Sequence, residues 1–274
     1  APFFNATFVP LMVPLLIACP IGAMMAWKRG DLPGVVGRLK VAGGLALLVA
    51  LATVTIDGNT DIVAALAMGV AAWLVAGAAV DLAERTGLFR VPLSDTLRRA
   101  GNLPRSAWGT AIAHSALGIM VAGITASSSW QTERIQIVRP GDTVALGGYE
   151  VTFRGAGNVP GPNYIALRGT FDVTADGRNI TTLYPEKREY PAEKSNTTEA
   201  AIHTTPFADL YVVLGDSDGK GGWATRIYHN PLVPWIWAGA IFMAIGGMVS
   251  LSDRRLRVGA PKRAARKTPV AEPA

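Results

Sequence analysis

Cysteine is nearly missing from this chain of 274 residues: Cys19 is the only one, and it sits inside the first apolar block. An intrachain disulfide is therefore excluded. A zinc site, which gathers several Cys or His, has no spacing to support it. No CxxCH motif attaches haem covalently. The first apolar block lacks a basic leader region and a small-residue cleavage site, so it does not read as a signal peptide. No internal repeat is visible. No Ser-His-Asp or paired-carboxylate constellation can be placed. "GDSDGKGG" (215–222) lacks the twelve-residue frame and terminal Glu of a calcium loop and reads as a hairpin tip. "GAGNVPGPN" opens no helix, so it is a Gly/Pro loop rather than a phosphate-binding turn.

Apolar residues are what the chain has in excess. They make up 50% of it, and the mean hydropathy is +0.28. The excess is concentrated in five blocks, roughly 8–27, 41–56, 62–80, 106–127 and 232–251. Blocks of this size match the hydrocarbon thickness of a bilayer. Gly and Ala are frequent in them, as befits helices that approach closely in lipid. The second and third blocks meet across "DGNTD", read as a tight helical hairpin.

Charge then sets orientation. Lys28, Arg29, Arg38 and Lys40 lie in one loop, and Arg85, Arg90, Arg98, Arg99 and Arg105 in another. Seven more bases follow residue 252, while "DGNTD" carries only aspartates. The positive-inside rule puts the basic segments and the C-terminus in the cytoplasm. The net charge of +6 is thereby explained by topology, and nucleic acid is not needed as a partner. Trp130, Trp235 and Trp237 read as an aromatic belt.

Between the fourth and fifth blocks the pattern changes. "YEVTFRG", "YIALRGTFDVTADG", "NITTLYP" and "DLYVVLGDSD" alternate apolar with polar residues and are punctuated by turn formers, the signature of short antiparallel strands. Asp176-Gly177 is a hairpin turn. The expected organisation is a polytopic α-helical membrane protein with one small extracytoplasmic antiparallel β-domain of five to eight strands. Four spans occupy 1–127, the β-domain 128–230, the last span 231–252, and a basic disordered tail 253–274.

One residue is out of place. His114 lies in "GTAIAHSALGIM", eight residues into the fourth span, roughly 12 Å from its cytoplasmic end. Helical spacing gathers Ala107, Thr110, Ala111, Leu117, Gly118 and Val121 on its side. Three roles fit an imidazole on such a face: packing with one interhelical hydrogen bond, an axial bond to a haem iron, or a proton relay. His203 reads as a surface or turn residue, and His229 as an interfacial one.

Several stretches in combination resemble one known family. They are "PFFNATFVPLMVPLLIACPIGA", His114 in its span, "TLYPEKREYPAEKSNTTEAAI", "DLYVVLGD" and "NPLVPWIWAGAIFMAIGGMVSLSDRRLR". Together they are similar to the C-terminal part of the cytochrome c-type biogenesis protein CcmF family, including its relative NrfE. The resemblance implies a multi-pass protein of the bacterial inner membrane, with its β-domain in the periplasm. It implies part of a haem lyase that attaches haem to apocytochrome c. The implied cofactor is haem b, with His114 as one axial ligand of the iron and the second ligand outside this chain. The implied partners are the haem chaperone CcmE, a CcmH-type thiol-handling subunit, apocytochrome c and the lipid bilayer. The family's Trp-rich haem-binding segment has no counterpart between Ala1 and Ala274. The competing expectation is a non-enzymatic membrane scaffold that docks maturation partners through the β-domain. A proton-coupled transporter ranks last, because the acidic residues fall outside the spans.

Overall fold

A computed structural model describes residues 2–25, 30–57 and 61–253. Five helices are long and apolar enough to cross a membrane: α1 (Pro2–Met24), α2 (Leu32–Asp57), α3 (Ile62–Thr86), α5 (Arg105–Ser129) and α6 (Val233–Leu251). A shorter helix, α4 (Leu93–Asn102), joins α3 to α5. The protein is thus a polytopic helical membrane protein carrying one antiparallel β-domain.

Local chemistry sets several helix ends. Asp61 caps α3 by accepting from the N–H groups of Val63 and Ala64, which satisfies two orphan donors of the first turn. Gly87, in the left-handed conformation at φ 71°, closes the other end. Pro92 and Pro104 precede α4 and α5, where their fixed φ suits a helix entry. α1 holds Pro10, Pro14 and Pro20 within its length, a tolerance typical of membrane helices.

Glycine decides how the helices meet. A Cβ on Gly109 of α5 would lie 2.5 Å from the Gly246 carbonyl oxygen of α6, and one on Gly246 would lie 2.7 Å from the Gly109 oxygen. Gly118 of α5 is pressed as closely on the Ala71 oxygen of α3, at 2.7 Å. These contacts hold α5 between α3 and α6 at backbone distance, where dispersion replaces the hydrophobic effect as the cohesive force.

The β-domain holds ten strands: β1 (Thr132–Val138), β2 (Thr143–Leu146), β3 (Tyr149–Pro160), β4 (Ile165–Ala175), β5 (Arg178–Leu183), β6 (Glu186–Tyr190), β7 (Ser195–Glu199), β8 (Ala201–Thr204), β9 (Ala208–Ser217) and β10 (Trp223–Pro231). One sheet runs β1-β10-β9-β8 and the other β2-β3-β4-β6-β7, with β5 also on β4. Alternate residues of β9 (Leu210, Val212, Leu214) and of β3 and β4 (Val151, Phe153, Phe171, Val173) form the core between them. Phe153 and Phe171 stack at its centre, 4.8 Å apart.

Four sequence expectations need correction. The strands exceed the five to eight expected, because short pairs such as β6–β7 and β8 carry polar residues on both faces and show little alternation. The second apolar block is nine residues shorter at its start than α2, since Gly34, Gly37, Arg38 and Lys40 are helical. "GAGNVP" continues β3 past a bulge at Phe153/Gly155, where Gly155 takes φ +137°. The basic segment 81–105, read as a loop, contains the last turn of α3 and the whole of α4. The tail from 254 and residues 58–60 of "DGNTD" lie outside the described residues.

Candidate functional site

His114 stands on α5, between the face that meets α6 and the face that meets α3. The α6 face is marked by Gly109, Ala116 and Gly123, and the α3 face by Gly118. Thr110, Leu117 and Val121 share the His114 stripe by helical spacing. All four are only half-buried, whereas Ala107, Ala111, Ala116 and Gly118 around them are buried. Among the described residues the His114 ring makes no hydrogen bond. The interhelical bond that the packing role requires is therefore absent among them.

A buried acid lies nearby. Asp81 on α3 is only 6% exposed, which corrects the expectation that acidic residues fall outside the spans. Arg85, four residues on, donates its Nε–H to both carboxylate oxygens at 2.9 Å. α3 and α5 are antiparallel, with Gly118 against Ala71 and Leu74, and Leu82 beside Trp108 and Ala111. Asp81 therefore stands about one turn from His114 along the bundle, close enough to act on it electrostatically. Apolar periodicity missed Asp81 because the block breaks off at Val80; the signal was Arg85 at i+4.

The far end of α5 is anchored. Its N-terminus has no cap of its own, and Asp253, beyond α6, accepts from the Ser106 N–H at 3.1 Å and the Ser106 hydroxyl at 2.9 Å. α6 is fixed to the β-domain in turn: Trp235 Nε1–H donates to the Pro206 oxygen at 2.7 Å, and the Leu232 N–H to that of Phe207 at 2.7 Å. The helix bearing His114 is thus held from both sides of the bundle.

The other two histidines come together inside the β-domain. His203 and His229 are both in register with Leu210, so they share its face across β8, β9 and β10. Tyr149 lies against both, with ring centres 6.2 Å and 6.3 Å away. Burial holds the His229 imidazole below its ordinary pKa. Neither is near His114. Among the described residues no three His, Cys, Asp or Glu gather into a metal site.

"YPEKREY" proves to be a charged latch. Glu186 on β6 is buried, with one oxygen 2.7 Å from Arg168 Nε and the other 2.8 Å from Arg188 Nε. Burial alone would raise its pKa; the hydrogen bonds from Arg188 and Arg168 outweigh burial and hold the carboxyl below the usual range. Arg188 also covers the Tyr164 ring at 4.6 Å. A groove of about 590 Å³ opens beside this latch, floored by Tyr211, Tyr228 and Arg226 and walled by Lys187 and Thr198.

The family described as the CcmF C-terminal beta-sandwich matches residues 129–231. Cytochrome c-type biogenesis protein CycK of Bradyrhizobium diazoefficiens is 47% identical, over 97% of this chain and 40% of its own length. Cytochrome c-type biogenesis protein CcmF of Escherichia coli is 35% identical over 93% of this chain and 38% of its own. Over nearly its whole length this chain is similar to the C-terminal portion of CcmF proteins. It spans about 40% of the length of such relatives. A solved structure of a CcmF cytochrome c haem lyase superposes with a TM-score of 0.70, covering 92% of this chain and 40% of that one at 22% identity. The CcmF fold therefore extends beyond the β-sandwich to the helices that carry His114 and Asp81.

Proposed function

We propose that this chain is the C-terminal membrane part of a haem lyase of cytochrome c maturation, and that His114 supplies one axial ligand to a b-type haem. The half-exposed ring without a hydrogen-bond partner carries the reading. An imidazole in a helix bundle must find a partner, and among the described residues this half-buried one has no hydrogen-bond partner. The residues on its own stripe, Thr110, Leu117 and Val121, are only half-buried, so this is the face of α5 that a planar macrocycle would lie against. Haem supplies a one-electron couple when bound. The chain's own residues orient the ligand: Gly118 and Gly109 clamp α5 between two helices, and Asp253 fixes its register. Asp81 places a buried carboxylate near the ring, with Arg85 on the side away from it.

The remaining assignments follow the same reading. The protein crosses the bacterial inner membrane with its basic segments in the cytoplasm and its β-domain in the periplasm. On this reading the four blocks 1–127, 128–230, 231–252 and 253–274 are membrane, periplasmic, membrane and cytoplasmic. The β-domain faces apocytochrome c, the chaperone CcmE and the CcmH-type subunit. Its groove over Tyr211 and Tyr228 is one concave surface available for such docking.

The test is the reduced-minus-oxidised absorption spectrum of the full-length protein, wild type against His114→Ala. The expected result is loss of the b-type haem signal while the protein stays folded. An intact spectrum removes His114 from the iron and leaves the scaffold reading, in which the β-domain docks partners without haem in this membrane part.

A further inference from the structure

α4 carries an apolar stripe that nothing among the described residues covers. Leu93 and Leu97, one turn apart, are 67% and 64% exposed, and Phe89 just before the helix is 94% exposed. The protein-facing flank is different: Thr96 is buried and the Ala100 oxygen accepts from Trp108 Nε1–H at 3.3 Å, while Arg99 beside Gly87 stays exposed. The third flank is polar, with Ser94, Asp95 and Arg98, the last two paired at 2.9 Å. The apolar stripe therefore points sideways, neither into the bundle nor straight out.

The turn before α4 strengthens this. Phe89 adopts φ 66°, a left-handed conformation unfavourable for a bulky residue. It is held there by Gly87, whose oxygen accepts from the N–H groups of Arg90 and Val91. Strain that puts a phenyl ring fully into water gains nothing. The same ring at a bilayer surface gains the burial.

Two observations name the occupant. α4 is joined by short turns to α3 and α5, both long and apolar enough to span, so it lies at the level where the bilayer ends. Arg90 pairs with Glu84, but Arg99 and Arg105 have no ion pair among the described residues. We propose that α4 is an interfacial helix lying in the headgroup layer on the basic side of the membrane, with Phe89, Leu93 and Leu97 in the acyl boundary and Arg99 and Arg105 on anionic lipid phosphates. An amphipathic helix with a basic flank is the physical form that such binding takes.

The test uses the full-length protein in vesicles of phosphatidylcholine and phosphatidylglycerol. With Cys19 and any other native cysteine of the full-length protein replaced by Ala, an environment-sensitive fluorophore is placed on a single cysteine at Leu97→Cys, or at Ser94→Cys on the polar flank. A nitroxide-labelled lipid should quench the label at 97 several-fold more than aqueous acrylamide does, and the label at 94 should show the reverse. Quenching at 97 by acrylamide, or by neither agent, would overturn the placement, since water or another protein surface would then cover the stripe. For the headgroup, Arg99→Gln with Arg105→Gln should lower retention of phosphatidylglycerol over phosphatidylcholine several-fold in native mass spectrometry. Unchanged retention would overturn the anionic-lipid contact.

Discussion

Asp253 accepts two hydrogen bonds from Ser106, residues 147 positions apart in sequence. An acid just past the end of α6 thereby caps the start of α5. The N-terminal helix dipole favours that negative charge. Asp253→Ala leaves the first turn of α5 without a side-chain cap, at a cost of about 1–2 kcal/mol. Thermal melting in detergent should show a lower midpoint, and Asp253→Asn should recover part of the loss.

The α5–α6 contact makes a second prediction. Gly109→Ala places a methyl group 2.5 Å from both the Gly246 oxygen and the Ser250 nitrogen, so the helices must part. Overpacking of this kind costs about 1–3 kcal/mol. Gly247→Ala, with open space around it, should leave the melting midpoint unchanged. Equal effects from the two would show that close approach is not what the glycine provides.

Glu186 makes the β-domain sensitive to acid. Its carboxyl is held below the ordinary value, so its stabilising contribution is present above the unfolded pKa of about 4.3 and is lost as pH falls through the lower folded value. Glu186→Gln removes the charge and should cost about 1–3 kcal/mol, since the partly exposed Arg168 and Arg188 lose their shared partner but stay in reach of water. The variant should also show a flatter loss of stability between pH 5 and pH 3, read by denaturant titration across that range at roughly these values.

His229 acts at milder pH with the same sign. Burial lowers its pKa, so the folded state prefers the neutral ring. Its contribution is present above the unfolded value of about 6.5 and is lost as pH falls through the folded value. His229→Phe should flatten the stability profile of the β-domain just below neutrality. Gly147→Ala should destabilise at every pH, because Gly147 sits at φ +60° and a Cβ there would lie 2.5 Å from the His229 ring.

Much of this architecture was legible from the chain alone, for a simple reason. Hydrocarbon thickness and strand alternation are local constraints, written in runs such as "AALAMGVAAWLVAGAAV" and "DLYVVLGD". His114 stood out by the same logic, since an imidazole among apolar residues violates a local pattern. Asp81, Glu186 and Asp253 did not, because an acid at a block edge or in a charged stretch reads as solvated until its partner is known. α4 was hidden in a basic segment, since its two leucines stand among Arg90, Arg98, Arg99 and Arg105 and so short and polar a stretch reads as a charged loop.

What the sequence determined by itself is the set of elements and the one ionisable group that had to be explained. What the tertiary structure decided is which groups have partners. It paired Asp81 with Arg85 and Glu186 with two arginines, brought Asp253 to Ser106, and left the His114 ring with none among the described residues. The Ser106–Asp253 and Arg168–Glu186 contacts depend on helix approach and strand register over longer sequence separations, which a local pattern does not encode, whereas Asp81–Arg85 is a local i,i+4 pair whose burial only the packing of α3 decided.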